Sequence, residues 1–306
     1  MAEVVTTGAQ RPLWRRIVDF PLVAMVIGVA VYFVGIIVAG ILAQFVIPTI
    51  PGVSREMKFY PLAVLCLVPL YIFVIAKLGD PKRNDFRDTN WLRHLLLGLV
   101  GGTVIFSVAV AIAGALGVYR IIGVGSLNGL LTALIVPTVG AAVTEEMLFR
   151  GVLFRWLEQF GGSWFALLLT SAFFGAAHLN NPNSSWIAAV GIAFEAGVML
   201  GAAYMLTRSL WLPMGLHAAW NFTQGEIFDI PVSGTKADGM VDAQLSGNPL
   251  LTGNGFGLEA SLIAIVIATL FGLWLLWLAI RKGEVKQPWW VTRRQRRIEP
   301  VAETFA

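Results

Sequence analysis

The segment Thr144–Arg150 reads TEEMLFR and places two adjacent carboxylates and one guanidinium in an otherwise apolar part of the chain. An ionisable side chain at the centre of a bilayer costs roughly 3 kcal/mol on insertion scales. Such side chains usually face a bundle interior or a water-filled cavity and mark a functional site. The segment therefore predicts a helix of a membrane bundle, with a polar site around Glu145.

The composition of the whole chain agrees with this interpretation. Of its 306 residues, 57% are hydrophobic and 13% are charged. A soluble domain has about 45–50% apolar and about 25% charged residues. Because so little of the sequence is polar linker, we expect one integral membrane domain rather than a string of soluble modules.

Apolar segments recur along the chain at lengths that suit a bilayer, which a helix crosses with about 20 residues. Two of them, Trp164–His178 and Leu210–Phe222, are short for a full crossing. The sequence predicts an all-α, polytopic membrane helical bundle with about eight transmembrane helices. The eight segments are Phe20–Ile47, Tyr60–Ala76, Leu95–Val118, Leu127–Phe149 with a continuation to Phe160, Trp164–His178, Trp186–Leu206, Leu210–Phe222 and Ser261–Ile280.

The positive charges are distributed unevenly about these segments. With eight crossings, 18 of the 22 lysines and arginines fall on the side that holds both termini. The other four are Arg55, Lys58, Arg120 and Lys236. Because lysine and arginine accumulate on the cytoplasmic side of membrane proteins, both termini are predicted to be cytoplasmic.

This topology divides the chain into a cytoplasmic segment 1–19, a membrane bundle 20–280 and a basic tail 281–306. The tail carries Arg293–Arg297, RRQRR, two residues after a tryptophan pair. Each arginine gains about 1 kcal/mol near anionic lipid. We therefore expect the tail to bind anionic headgroups, and we expect no nucleic-acid partner. The compact bundle favours a bacterial plasma membrane, and the glycine-rich loop 223–257 is predicted to be external.

Helix geometry places Glu145 and His178 at similar distances from the turn that joins their two helices. Gly161 and Gly162 predict the turn between the fourth and fifth segments. Glu145 lies sixteen residues before this pair and His178 lies sixteen residues after it. With a rise of 1.5 Å per residue, antiparallel helices place both side chains about 24 Å from the turn. If the turn protrudes from the bilayer, both groups lie in its cytoplasmic half.

The spacing within the fourth segment separates the two glutamates. Glu146 and Arg150 are four residues apart and share a helix face, so we expect them to form an ion pair. Glu145 is rotated by roughly 100° from Glu146 and can point elsewhere. We expect it to face a polar cavity.

Further polar side chains occupy the later segments. His217 and Asn221 share one face of the seventh segment, since they are also four residues apart. His178 and His217 are two of only three histidines in the chain. Glu195 lies within the sixth segment and either lines the cavity or pairs with a polar neighbour. Intramembrane ionisable groups of this kind indicate function more often than packing.

Three short motifs follow one another along these segments: Glu145-Glu146-x-x-x-Arg150, Phe174-x-x-x-His178 and His217-x-x-x-Asn221. In this order and spacing they resemble the CPBP family, the CAAX-processing and bacteriocin-processing intramembrane proteases, also called the Abi family. The resemblance covers Leu127–Gln224.

The resemblance implies an all-helical fold and peptide-bond hydrolysis within the membrane. By position, Glu145 would activate a water molecule, His178 would help to hold it, and His217 and Asn221 would bind the oxyanion. The other motif residues would have supporting roles: Glu146, Arg150 and Phe174. The substrate would be a membrane-associated peptide or protein, prenylated in the family's eukaryotic members.

Three alternatives remain open at this stage. A zinc ion bound by Glu145, His178 and His217 is one, since two histidines and a carboxylate form a common catalytic zinc set. The chain lacks a His-Glu-x-x-His motif, which favours metal-free hydrolysis. The non-enzymatic alternatives are a scaffold for bacteriocin immunity or sorting and a proton-coupled transporter, although no clear inverted repeat supports the latter.

Overall fold

The structure is a computed structural model that describes residues 12–294. Ten of its helices and one small sheet are labelled here in chain order. The helices are α1 (Leu13–Val18), α2 (Pro21–Val46), α3 (Arg55–Lys77), α4 (Trp91–Ala115), α5 (Leu130–Gly161), α6 (Ser163–Ala177), α7 (Trp186–Thr207), α8 (Trp211–Phe222), α9 (Pro249–Thr252) and α10 (Leu262–Arg281). Of the predicted cytoplasmic arginines, Arg11, Arg296 and Arg297 lie outside the described residues.

The predicted class, a polytopic helical bundle, is confirmed. Six helices of residues 12–294 are long and apolar enough to cross a membrane, namely α2, α3, α4, α5, α7 and α10. Helix α6 has 15 residues and α8 has 12, so both are short, as their sequences predict. The eight crossings and the cytoplasmic termini remain predictions.

Two helix boundaries have local causes, and the first of them differs from the sequence prediction. Helix α3 begins at Arg55 rather than at Tyr60, because the Ser54 hydroxyl accepts a hydrogen bond from the Met57 backbone N–H at 3.2 Å. A serine in this position satisfies a backbone donor that the helix leaves free. Helix α5 ends at Gly161 because Gly162 has a φ of +84°, which glycine adopts without strain.

Helix α5 carries the first motif and is interrupted by two wider, π-type turns. They span Leu134–Gly140 and Met147–Phe154 and flank the regular turn that contains both glutamates. Single π-type turns occur frequently at functional sites, where they change the direction of side chains. The turns therefore set the orientation of Glu145 and Glu146 relative to the neighbouring helices.

Glycines on α4 bring α8 close enough to present its motif. A Cβ atom at Gly98 would lie 2.5 Å from the Leu212 carbonyl oxygen, and one at Gly102 would lie 2.4 Å from that of Leu216. Both contacts are with backbone atoms, which do not move aside easily. Small residues at such positions let membrane helices approach closely. This packing fixes the position of His217.

A small antiparallel sheet, which the sequence analysis did not predict, joins two loops. Strand β1 (Tyr119–Val124) pairs with β2 (Val241–Leu245), with Tyr119 opposite Leu245. The Tyr119 hydroxyl also donates a hydrogen bond to the Phe228 carbonyl at 3.1 Å. These contacts hold residues 228–261, the capping loop, against the bundle.

At another end of the bundle, the buried carboxylate of Asp85 holds several elements together. It accepts hydrogen bonds from the hydroxyls of Tyr71 and Tyr204 and pairs with the guanidinium of Arg83. Arg155 of α5 lies 3.6 Å from the same carboxylate. Because a buried charge is stable only when it is paired and hydrogen-bonded, this cluster anchors the end of α5.

Candidate active site

The ion pair between Glu146 and Arg150 forms the base of the site. Glu146 Oε1 lies 2.8 Å from Arg150 Nη1, as the four-residue spacing predicts, and neither side chain is exposed. Arg150 Nη2 also donates to the carbonyls of Ala196 and Gly197 at 3.2 and 3.3 Å. These contacts hold the guanidinium in place and leave Glu146 Oε1 as the acceptor for a further donor.

That donor is the imidazole of His217. Its Nδ1 lies 3.0 Å from Glu146 Oε1. Because an ionised carboxylate can only accept, Nδ1 must carry the hydrogen. The second ring nitrogen, Nε2, lies 4.0 Å from Glu145 Oε2. This distance is too long for a hydrogen bond, but both atoms can contact the same small molecule.

The two adjacent glutamates have different surroundings. Glu146 is fully buried, whereas about a third of the Glu145 side chain, 32%, is exposed. Glu145 Oε2 is itself buried and has no hydrogen-bond partner among the described residues. The hydroxyls of Tyr32 and Tyr60 interact with its charge. Glu145 is thus the less constrained carboxylate and the one that is available to a ligand.

The second motif orients its histidine through the backbone. His178 Nδ1 lies 2.7 Å from the Phe174 carbonyl oxygen, which can only accept, so Nδ1 donates and Nε2 is left as an acceptor. The Phe174 ring centroid lies 4.8 Å from the Arg150 guanidinium and 4.9 Å from the His178 ring. It is also 6.1 Å from the His217 ring. Phe174 therefore packs the first two motifs against the third.

Asn221 is fixed by a contact with α5. Its Nδ2 donates to the Pro137 carbonyl at 2.7 Å, within the first π-type turn. This hydrogen bond uses one of the two amide hydrogens. The second hydrogen and Oδ1 remain for a ligand.

A cavity of about 30 Å³ lies among these side chains. A cavity needs about 10–15 Å³ by this measure to hold one water molecule, so this one suits one or two. Its polar lining consists of His178, Glu195, His217, Asn221, Ser233 and Glu259.

The expectation that Glu145 faces a polar cavity stays a prediction, since it is the neighbouring ring of His217 that lines the cavity described above. Glu145 is not among the residues that line it, and its carboxylate instead lies beside Nε2 of His217. The reason is the rotation of α5 about its own axis, which sequence spacing does not determine. The remaining predicted residue is Glu195, which was expected either to line the cavity or to pair with a polar neighbour. It is 1% exposed and lines the cavity.

Two lining residues come from the capping loop and were missed by the sequence analysis. Ser233 and Glu259 belong to no motif, and only the position of Glu259 just before a membrane span could have attracted notice. The loop lies over the cavity because Phe256 packs in the same apolar cluster as Phe149 and Phe174.

The alternative zinc set is not assembled in this structure. Among residues 12–294, no three histidine, cysteine or acidic side chains lie close enough together to hold a metal ion. A zinc ion therefore cannot be bound jointly by the side chains in the positions observed for Glu145, His178 and His217.

Part of the chain resembles known proteins. Residues 126–223 match the family model described as Rce1-like, type II CAAX prenyl endopeptidase. This range contains all three motifs. The Bacillus subtilis (strain 168) protein named "Putative membrane peptidase YdiL" is 24% identical over 169 residues. The alignment covers 52% of this chain and 66% of that relative, just under two thirds of its length.

Proposed function

We propose that the chain is an intramembrane endopeptidase of the CAAX-protease-like type, and the premise is the match of residues 126–223 to the Rce1-like family model. It hydrolyses a peptide bond of a membrane-associated protein or peptide, prenylated or not. The observation that supports this function is the position of His217, with one ring nitrogen bonded to Glu146 and the other beside Glu145.

In the proposed first step, Glu145 acts as a general base. It removes a proton from a water molecule beside Nε2 of His217, and the water oxygen attacks the carbonyl carbon of the substrate. His178 Nε2 is an acceptor and helps to hold this water. A positioned general base of this kind contributes about 10²–10⁴-fold to the rate.

The attack places negative charge on the carbonyl oxygen. Asn221 can donate its second amide hydrogen to this oxygen, and His217 can donate from Nε2 when the ring carries both protons. A ring that lies between two carboxylates favours the doubly protonated form. Each oxyanion donor contributes about 3–4 kcal/mol. The carbon–nitrogen bond then breaks as Glu145 transfers its proton to the leaving amine, and the products are a carboxylic acid and an amine.

The supporting residues orient these groups and do not touch the substrate. Arg150 holds Glu146, and Glu146 fixes the ring of His217. Phe174 supplies the carbonyl that fixes His178. A catalytic geometry needs such restraints, because a displacement of about 1 Å can cost about 100-fold in rate.

The experiment that tests the function compares Glu145→Ala and His217→Ala with the parent protein on prenylated and unprenylated membrane-anchored peptides. His94→Ala is the matched control, since this histidine lies outside the site beside Asp88. We expect both site variants to lose at least about 100-fold in cleavage rate and the control to retain it. Cleavage at the parental rate by both site variants would favour a scaffold or a transporter instead.

The metal requirement has its own test. We propose metal-free hydrolysis, so activity should survive removal of bound metal by chelators, with metal content measured on the same sample. Activity that is lost on chelation and restored by stoichiometric zinc would replace this mechanism with a metallopeptidase one.

The cellular setting follows the sequence prediction. We propose a bacterial plasma membrane with both termini in the cytoplasm, where the basic tail meets anionic lipid. Support comes from the charge distribution about the helices.

A further inference from the structure

Glu259 of the capping loop is a buried carboxylate next to the proposed catalytic groups, and no motif includes it. It lies in the short helical turn Leu258–Ala260, directly before α10, and only 4% of it is exposed. Its Oε1 accepts a hydrogen bond from the backbone N–H of Ser233. Its charge also interacts with His178 across the cavity that both residues line.

A second buried carboxyl group, Glu195 of α7, lines the same cavity. Its Oε2 has no hydrogen-bond partner among residues 12–294, and its charge interacts with that of Glu259. Because the cavity measures only about 30 Å³, two ionised carboxylates there would repel each other strongly. We expect the pair to share one proton, as neighbouring carboxyl groups do in other buried sites.

Opposing effects act on Glu259. Burial raises the pKa of this carboxyl group, whereas the Ser233 N–H and the positive charge that His178 can carry oppose the rise. The His178 ring cannot turn away from Glu259 freely, since Nδ1 is held by the Phe174 carbonyl at 2.7 Å. The charge of Glu259 therefore acts on a ring that the Phe174 carbonyl already holds facing the same cavity.

The loop that carries Glu259 is held firmly at this place. The Gly234 N–H donates to the Phe256 carbonyl at 2.8 Å, and the Asn183 amide donates to the carbonyls of Gly234 and Gly255 at 3.4 and 3.3 Å. A Cβ at Gly257 would lie 2.0 Å from the Pro231 carbonyl oxygen, so the loop closes on itself just before Glu259. The side chain is thus directed into the cavity by a rigid segment.

We propose that Glu259 is a positioning residue of this active site, whose carboxyl group, together with that of Glu195, sets the orientation and charge of the His178 ring. The effect on catalysis rests on the proposed hydrolytic function, whereas the interaction of Glu259 with His178 across the cavity does not. In this proposal Glu259 makes no contact with the peptide bond. It acts through His178.

The interaction between Glu259 and His178 can be measured without any substrate. The chain has three histidines, so the full-length protein labelled with ¹⁵N-histidine gives three sets of ring signals, assigned with a His178→Gln variant. We expect Glu259→Gln to shift the His178 signals while those of His94 stay in place. Unchanged His178 signals in Glu259→Gln would overturn the proposal, whether or not the protein cleaves peptides.

Asp229→Asn is the matched control for a general loosening of the loop. The Asp229 carboxylate accepts hydrogen bonds from the N–H groups of Gly239 and Ala243, both at 3.1 Å, and does not line the cavity. This variant weakens the loop and leaves Glu259 unaltered. We expect its His178 signals to match those of the parent.

Peptide cleavage gives the second measurement. We expect Glu259→Gln to lower kcat on the order of 10-fold, the lower end of the loss seen when a group that orients a functional histidine is removed, with KM unchanged. An equal loss in Asp229→Asn would show that loop closure is responsible and would overturn the positioning role. If the parent cleaves no peptide, the proposed function fails, and the histidine signals still decide whether Glu259 positions His178.

Discussion

Replacing Arg150 by methionine tests whether the buried ion pair organises the site. The variant leaves the fully buried Glu146 carboxylate without its cation. Removing one partner of a buried pair costs about 3–5 kcal/mol. The carbonyls of Ala196 and Gly197 also lose their donor, at about 1 kcal/mol each. We expect the free energy of unfolding to fall by roughly 5–7 kcal/mol.

The double variant Glu146→Gln with Arg150→Met separates the two contributions. Neutralising both partners removes the unpaired charge, and a buried pair can often be replaced by neutral groups at little cost. The carbonyls stay without a donor in both variants. We therefore expect the double variant to recover roughly 3 kcal/mol relative to Arg150→Met. Arg281→Met is the control, because Arg281 is exposed at the end of α10 and should change stability by less than about 0.5 kcal/mol.

The assay is reversible unfolding in mixed micelles, followed by the fluorescence of the 11 tryptophans. A loss below about 1 kcal/mol in Arg150→Met would place the pair among weak, solvated ion pairs. A double variant no more stable than the single one would show that the charge of Glu146 is not what makes Arg150 necessary. Either result refutes the assignment of the pair as the base of the site.

Three further changes test the framework around the site. Gly98→Ala should displace α8, because the added Cβ would meet the Leu212 carbonyl oxygen at 2.5 Å. We expect a lower cleavage rate and a free energy of unfolding reduced by about 1–3 kcal/mol, measured by cleavage and unfolding assays. Asp85→Asn should cost about 3–5 kcal/mol in the same unfolding assay, because it leaves buried arginines without their anion. Burial favours a higher pKa for Glu284, but its hydrogen bond and attraction to Arg208 outweigh this and lower the pKa below the usual 4.5. The interaction of Glu284 with Arg208 therefore stabilises the fold above that pH, and this stabilisation is lost as the pH falls and the carboxylate is protonated. We expect Glu284→Gln to reduce the decrease in the free energy of unfolding at acid pH.

The relations that follow from helix geometry were predictable from the sequence. A spacing of four residues places Glu146 beside Arg150, and the observed distance of 2.8 Å agrees. The apolar segments predicted each of the long helices, since their lengths and hydropathy are properties of the segments themselves. The pattern of Gly161 and Gly162 predicted the turn between α5 and α6.

The rest depends on contacts between distant parts of the chain. Rotation of a helix about its axis is decided by its neighbours, so the sequence could not show that Glu145 lies beside His217 and outside the cavity lining. Asn221 was predicted to bind only an oxyanion, but it also bonds to the Pro137 carbonyl, which a π-type turn presents. Glu259 reaches the site through a loop that is fixed by tertiary contacts alone.

The set of charges explains how a hydrolytic site could operate at membrane depth. Glu145 and Glu146 carry two negative charges when ionised, and Arg150 and a doubly protonated His217 carry two positive ones. The group is then neutral, which limits the cost of burying it. It is neutral as well when the proton has moved from His217 to Glu145. In the proposed reaction the proton moves from the water to Glu145 while the oxyanion takes up the negative charge, so the site and its substrate together stay neutral in the low-dielectric interior. The guanidinium of Arg150 belongs to this charge balance although it never meets the substrate.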